Sequence, residues 1–177
     1  MSIEGKAAVV TGSATGIGQG VALALAQAGA KVAVTYYRDP GDETMRLIKE
    51  AGGEAILVKT DVRSRESIHE LMEKAYNAFG RFDILVNNAA VQLNKLLFDY
   101  TEEEYDLVME VNVKDSLKIV EVWLTNCEKN DTSLRQSLQP LYEKYKRKKY
   151  KIAVFESGNG DLFDSTAGLL LHNRKLI

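Results

Sequence analysis

Cysteine and histidine are scarce in this chain, and both shortages exclude classes of protein. The 177 residues contain one cysteine, Cys127, so no disulfide can form within the chain, which suits a reducing cytoplasm. The two histidines, His69 and His172, stand apart from other ligand residues and offer no metal-binding spacing. No apolar run reaches membrane-spanning length, and the first residues lack the apolar segment of a signal peptide. These absences predict a cytoplasmic protein with neither a metal nor a membrane partner.

The composition is that of an ordinary globular domain, with 45% apolar and 27% charged residues. One basic run, over residues 144–151, could suggest a nucleic-acid partner. No aromatic stacking platform, helix-turn-helix or zinc motif accompanies it. We interpret the run as the solvated C-terminal end of a helix and expect no nucleic-acid binding.

The most informative stretch is an apolar strand over residues 7–10 that enters a glycine-rich turn and leaves it as a helix. The turn carries three glycines, Gly12, Gly16 and Gly18. Such a turn brings unpaired backbone N–H groups and the positive end of a helix dipole to one place, where a phosphate or diphosphate binds. A second strand, over residues 31–37, completes a β-α-β unit of dinucleotide-binding size. The alternative is a structural turn in another α/β protein.

The end of the second strand bears on which dinucleotide binds. An acidic residue there would accept a hydrogen bond from a ribose 2′-hydroxyl and repel a 2′-phosphate. Here the first charged residue is Arg38, whose guanidinium suits a phosphate dianion and favours NADP over NAD. Asp39 follows at once and keeps NAD open. The alternative to a cofactor contact is that Arg38 is a solvated residue of the turn after this strand.

Strands and helices alternate along the front half of the chain, which predicts an α/β fold with a mostly parallel sheet and helices on both faces. We predict helices over residues 42–50 and 65–79, and strands over 55–60 and 82–86. Thr101 and Glu104 have the spacing of a capping box and start a helix that we expect to reach about Lys114.

Four landmarks together resemble the short-chain dehydrogenase/reductase family, in its glucose-dehydrogenase-like branch. They are Thr11-Gly12-x-x-x-Gly16-x-Gly18, Asp61-Val62, Asn87-Asn88-Ala89-Ala90, and Asn112 within Val111-Asn112-Val113. The likeness covers residues 6–114. It implies a Rossmann-like sheet of order 3-2-1-4, an NAD(P) cofactor, and oxidoreductase activity on a small carbonyl or alcohol. It leaves an oligomer open, since the helices that family dimers use are shortened or replaced here. Ala90 departs from the glycine that the family usually has there.

The resemblance also implies roles for individual residues. Asn112 matches the catalytic asparagine, which holds a water that serves an active-site lysine. Asp61 would accept from the adenine amino group. The cofactor-binding set that we predict is Gly12, Ser13, Gly16, Ile17, Gly18, Arg38, Asp61, Val62, Asn88 and Ala89.

The family's chemistry also needs a serine, a tyrosine and a lysine, and these are not found in place. Two Tyr-x-x-x-Lys matches occur, Tyr142…Lys146 and Tyr145…Lys149, in a region so basic that such matches are expected by composition. Both lie too close to Asn112, and no serine at a strand end precedes them at the family's distance. We therefore predict an NAD(P)-binding relative with impaired catalysis. The alternatives are an active NADP-dependent reductase that uses Tyr142 and Lys146, and a fused or rearranged chain whose tail is an interaction module.

The tail reads as β-α-β-α, with strands over residues 118–125 and 150–156 and helices over 133–148 and 161–172. We predict a dinucleotide-binding part over residues 1–115 and an atypical tail over 116–177. The tail strands should extend the sheet beyond its fourth strand, because an open apolar edge promotes association. An independent β-α-β-α unit is the rival arrangement.

Overall fold

The computed structural model describes residues 2–130, 150–153 and 170–173. It contains a 3-10 turn at Leu97–Asp99 and a π-helical segment at Glu110–Asp115. No helix in these residues is long and apolar enough to cross a membrane. The other elements are β1 (Ala7–Val10), α1 (Gly16–Gln27), β2 (Lys31–Tyr36), α2 (Asp42–Glu50), β3 (Ala55–Lys59), α3 (Arg65–Phe79), β4 (Ile84–Val86), α4 (Glu102–Met109), α5 (Ser116–Asn130), β5 (Tyr150–Ala153) and β6 (Leu170–Asn173).

The central sheet has four parallel strands in the order β3-β2-β1-β4. Val9 of β1 pairs with Ala33 on one side and with Leu85 on the other. Every residue of β1 is buried, as expected for a strand covered on both faces of a parallel sheet. The predicted α/β fold and strand order are confirmed.

Alternate residues along the strands supply two separate cores. On one face, Ala8 and Val10 pack with residues of α1 and α2, including Ile48. On the other face, Val9 packs with α3 and α5, including Leu71 and Trp123. Side chains alternate across a strand, so a single buried strand serves both layers of helices.

The predicted strand over residues 118–125 is wrong, because the structure has helix α5 there. Its β-branched and aromatic composition is typical of a strand, but the apolar residues also recur at helical spacing. Ile119, Val122 and Trp123 are nearly fully buried and pack in the core beside α3. Burial of this stripe decides the conformation, since tertiary packing overrides the weak preference of the backbone.

The helix that starts at the Thr101–Glu104 capping box does not stop near Lys114. Thr101 Oγ1 accepts from the Glu104 amide, and the Glu104 carboxylate accepts from the Thr101 amide, so the predicted cap is confirmed. The chain then passes through the π-helical segment and continues into α5. Such π-segments often lie at functional sites.

The tail strands do not extend the central sheet. β5 and β6 pair with each other, antiparallel, in a separate two-stranded sheet. The strand predicted over 150–156 is present over its first four residues, whereas the end of the helix predicted over 161–172 is replaced by β6. The helix predicted over 133–148, which includes Tyr142, Tyr145 and Lys146, lies outside the described residues. Lys149 and residues 154–169 also lie outside them. The division of the chain at residue 115 stays a prediction.

A buried carboxylate fastens the start of the sheet. Asp83 Oδ2 accepts from the Ala7 amide at 2.8 Å and from Arg81 Nε at 2.5 Å, and its Oδ1 lies 3.3 Å from Lys6 Nζ. Burial by itself would raise the pKa of Asp83, but hydrogen bonds from Arg81 and Ala7 outweigh it and hold that pKa below its usual value.

Candidate active site

The site begins at the glycine turn between β1 and α1, which packs against the loop that follows β4. Gly12 has a left-handed φ of 63°, and a Cβ there would lie 2.9 Å from the Ala89 Cα. A Cβ on Gly18 would lie 2.3 Å from the Gly12 carbonyl oxygen and 2.4 Å from Asn88 Nδ2. Glycine is therefore required at both positions for the turn and the loop to touch.

Thr11 anchors the loop after β4 to this turn. Its hydroxyl accepts from the Asn88 and Ala89 amides, both at 3.0 Å. Asn88 Nδ2 in return donates to the carbonyl oxygens of Thr11 and Gly12, each at 2.9 Å. The Asn88 amide group thus holds the turn in shape, a role that its place in the Asn-Asn-Ala-Ala stretch alone did not reveal.

Ser13 faces into the fold. Its buried hydroxyl donates to the Val10 carbonyl at 2.7 Å and accepts from the Thr35 amide at 2.9 Å, and its own amide donates to the Thr35 carbonyl. Thr35 Oγ1 also accepts from the Gly12 amide at 2.8 Å. Ser13 therefore ties the turn to β2 and presents neither its hydroxyl nor its N–H to a ligand. The part played by Thr35 was missed from sequence because it lies 22 residues further on.

The N-terminus of α1 is open. Its N-cap residue, Thr15, makes no side-chain capping bond, and the first turn contains no acidic residue. The amides of residues 16–18 have no acceptor within the helix, because the preceding turn is not helical. Ile17 in this turn is 81% exposed. Open amides and the helix dipole together favour an anion.

A cleft of about 580 Å³ opens beside the turn, at the carboxyl ends of the strands. Six of the predicted cofactor-binding residues line it, namely Gly12, Arg38, Asp61, Val62, Asn88 and Ala89. Ser13, Gly16, Ile17 and Gly18 are not among its lining residues. The cleft is bounded on its other side by the start of the loop after β4, including Val91, and by Val111.

One end of the cleft, which we call the arginine end, is formed by Tyr37, Arg38, Asp61 and Arg63. The two guanidinium carbons lie 5.7 Å (Arg38) and 5.3 Å (Arg63) from the centre of the Tyr37 ring. Arg63 donates to Asp61 Oδ1 from Nε at 2.9 Å and from its backbone amide at 3.0 Å, and it donates to Oδ2 from Nη2 at 2.7 Å. These bonds from Arg63 hold the pKa of Asp61 below its usual value. Tyr37 and Arg63 are 26 residues apart, and no sequence pattern connects them.

Asn112 lies in the π-helical segment, and its side chain is fixed to the loop after β4. Its Oδ1 accepts from the Val91 amide at 2.9 Å, and its Nδ2 donates to the Val91 carbonyl at 3.0 Å. The hydroxyl of Ser116 donates to the Asn112 carbonyl at 3.2 Å. Asn112 therefore lies next to the cleft-lining residues Val91 and Val111 without lining the cleft itself, and its predicted partners Tyr142 and Lys146 lie outside the described residues.

The model of the short chain dehydrogenase family matches residues 6–133. This chain belongs to that family, whose members are oxidoreductases that generally bind NAD or NADP. The match extends past Lys114, where the sequence analysis placed the end of the likeness, and takes in α5.

Individual relatives agree with the family assignment. The chain is 40% identical to the 2-dehydro-3-deoxy-D-gluconate 5-dehydrogenase of Escherichia coli over 113 residues, which are 64% of this chain and 44% of that protein. It is 34% identical to the glucose 1-dehydrogenase 2 of Bacillus subtilis over 132 residues, 73% of this chain and 51% of that one. The crystal structure of a dehydrogenase/reductase from Sinorhizobium meliloti 1021 superposes with a TM-score of 0.67 and 34% identity, covering 70% of this chain and 50% of the other. The chain thus spans about half the length of these relatives.

Proposed function

We propose that the cleft binds the adenosine diphosphate part of NAD(P), with the diphosphate at the N-terminus of α1. The observation that carries this proposal is the uncapped N-terminus of α1 beside the cleft, where Thr15 lines the cleft and makes no side-chain capping bond. Open amides at residues 16–18 supply donors for phosphate oxygens, so the donor set fits the group. Ser13 supports the site through the shape of the turn, because its own polar groups are bound internally.

At the arginine end we place the adenosine. Val62 lines the cleft and offers an apolar side chain to the adenine, and Asp61 offers carboxylate lone pairs to the adenine amino group. Asp61 already accepts three hydrogen bonds from Arg63, and a carboxylate has about four acceptor sites, so one site remains for the adenine amino group.

We favour NADP over NAD. Among the residues that the structure describes, Arg38 makes no hydrogen bond or ion pair, and its guanidinium lies over the Tyr37 ring. An exposed guanidinium without a carboxylate partner, at the wall of the cleft, suits a 2′-phosphate. Asp39 also lines the cleft and reduces this preference.

The cofactor proposal is tested by titrating the protein with NADPH and with NADH and following nicotinamide fluorescence. We expect both to bind, NADPH more tightly, and Arg38→Met to weaken NADPH about tenfold, the value of one lost charge-assisted bond pair. Arg46→Met is the matched control, because Arg46 pairs with Glu43 and Glu50 on α2 and does not line the cleft. Absence of binding at millimolar cofactor would contradict the proposal.

For the reaction, we propose that the chain is a cofactor-binding relative with impaired oxidoreductase chemistry on small carbonyls or alcohols. The support is the sequence spacing, in which Tyr142 and Lys146 lie too close to Asn112. When bound, the nicotinamide would supply hydride transfer, and this chain would have to supply a proton donor beside it. Carbonyl reduction assayed with NADPH should be absent or very slow. If reduction is rapid and Tyr142→Phe abolishes it, the alternative of an active reductase is correct.

A further inference from the structure

The guanidinium of Arg63 is held in one orientation. Its Nε donates to Asp61 Oδ1 at 2.9 Å, and its Nη2 donates both to Asp61 Oδ2 and to the Tyr37 hydroxyl, each at 2.7 Å. The remaining nitrogen, Nη1, has no hydrogen-bond partner within the described part of the chain, so two of the five N–H donors are left for a ligand.

Arg63 shares the face of the cleft with Arg38. Both line the cleft, and both guanidinium groups lie over the ring of Tyr37. The negative charges of Asp61 and Asp39 offset the two positive charges. The arginine end therefore attracts an anion mainly through its oriented N–H donors and not through a net positive charge. A group with several anionic oxygens can use donors from two guanidiniums at once, whereas a single hydroxyl cannot.

We propose that Arg63 is a specificity-determining residue, which together with Arg38 binds the 2′-phosphate of NADP. This inference rests on the proposed function, since it assigns one more residue to the same cofactor. Binding costs Arg63 little conformational entropy, because Asp61 and Tyr37 already fix its fork. The 2′-phosphate presents three oxygens where NAD presents one hydroxyl, so only NADP uses the free Nη1 donors.

A purely structural Arg63 would behave differently. If it only braces Asp61 and Tyr37, its loss would disturb the pocket for the adenosine that both cofactors share. NADPH and NADH would then weaken by the same factor. The ratio of the two affinities therefore separates phosphate recognition from bracing.

The experiment measures binding of NADPH, NADH, 2′,5′-ADP and 5′-AMP by calorimetry to the full chain and to Arg63→Met. We expect NADPH and 2′,5′-ADP to weaken about tenfold or more, and NADH and 5′-AMP by less than about twofold. Arg63→Lys keeps the positive charge but loses the planar guanidinium, so its affinity for NADPH should lie between those of the unaltered protein and Arg63→Met. Arg65→Met is the control, because Arg65 pairs with Glu121 outside the cleft.

Each outcome decides the matter. Equal weakening of phosphorylated and unphosphorylated ligands, or no weakening at all in either Arg63 variant, overturns the role of Arg63 and leaves the cofactor proposal intact. Failure of the unaltered protein to bind any of the four ligands overturns the proposed function and this inference with it. Selective loss for the 2′-phosphorylated pair supports both.

Discussion

The substitution Gly18→Ala tests the close packing of α1 against the glycine turn, on which the site depends. A methyl group on Gly18 would lie 2.3 Å from the Gly12 carbonyl oxygen, 2.4 Å from Asn88 Nδ2 and 2.9 Å from the Ser13 Cα. Two of these neighbours are backbone atoms, so the turn cannot yield by rotating a side chain. The Asn88 amide must move, and it then loses its bonds to the carbonyls of Thr11 and Gly12.

The cost follows from these contacts. Two hydrogen bonds contribute roughly 0.5–1.5 kcal/mol each, and forcing a methyl into a packed site costs about 1–3 kcal/mol. Alanine offsets roughly 0.5–1 kcal/mol of this cost, because it has a higher helix propensity than glycine. We therefore expect Gly18→Ala to lower the free energy of unfolding by about 3 kcal/mol, a large part of the 5–15 kcal/mol typical of a domain.

Gly20→Ala is the matched control on the same helix. Gly20 is exposed, and a Cβ there would meet nothing within 4 Å, so this change should stabilise by roughly 0.5–1 kcal/mol. Urea unfolding followed by circular dichroism measures both variants. With a slope of about 2 kcal/mol per molar urea, the Gly18→Ala midpoint should fall by about 1.5 M. If the two variants unfold at the same urea concentration, the turn is not packed as described and the reasoning fails.

Three further changes probe the frame around the site. Asp83→Asn should lower the free energy of unfolding by about 2 kcal/mol at pH 7. Because folding lowers the pKa of Asp83, its stabilising contribution is present above about pH 4 and is lost as the pH falls below that value. The urea midpoint of the variant should therefore fall less on acidification than that of the unaltered protein. Thr101→Ala removes the capping acceptor and should cost about 1 kcal/mol in urea unfolding, a result that an unchanged midpoint would contradict. Asn112→Ala removes both bonds to Val91 and should cost about 1–2 kcal/mol; we also expect faster limited proteolysis of the loop over residues 91–100, and an unaltered cleavage rate would argue against the anchor.

Periodicity in the sequence was enough to predict the front half of the fold. The helices over 42–50 and 65–79 have the predicted bounds, and the strands differ by one or two residues at their ends. At α3 the agreement has a local cause, because Ser64 caps its start through the Ser67 amide and Gly80 ends it with a left-handed φ. The strand prediction for residues 118–125 was wrong because their apolar pattern fits either a strand or a helix. Only packing against α3 and the sheet selects the helix.

The sequence by itself determined that a glycine turn between a strand and a helix stands at the head of a parallel sheet, because strand, turn and helix signals are all local. Only the tertiary structure decided how the turn is held. Ser13 points inward to Thr35, Asn88 holds the turn through its side-chain amide, and Arg63 bonds Tyr37 at the arginine end of the cleft. These partners lie 22 to 76 residues apart, and pairings over such distances are set by the packing of strands and helices.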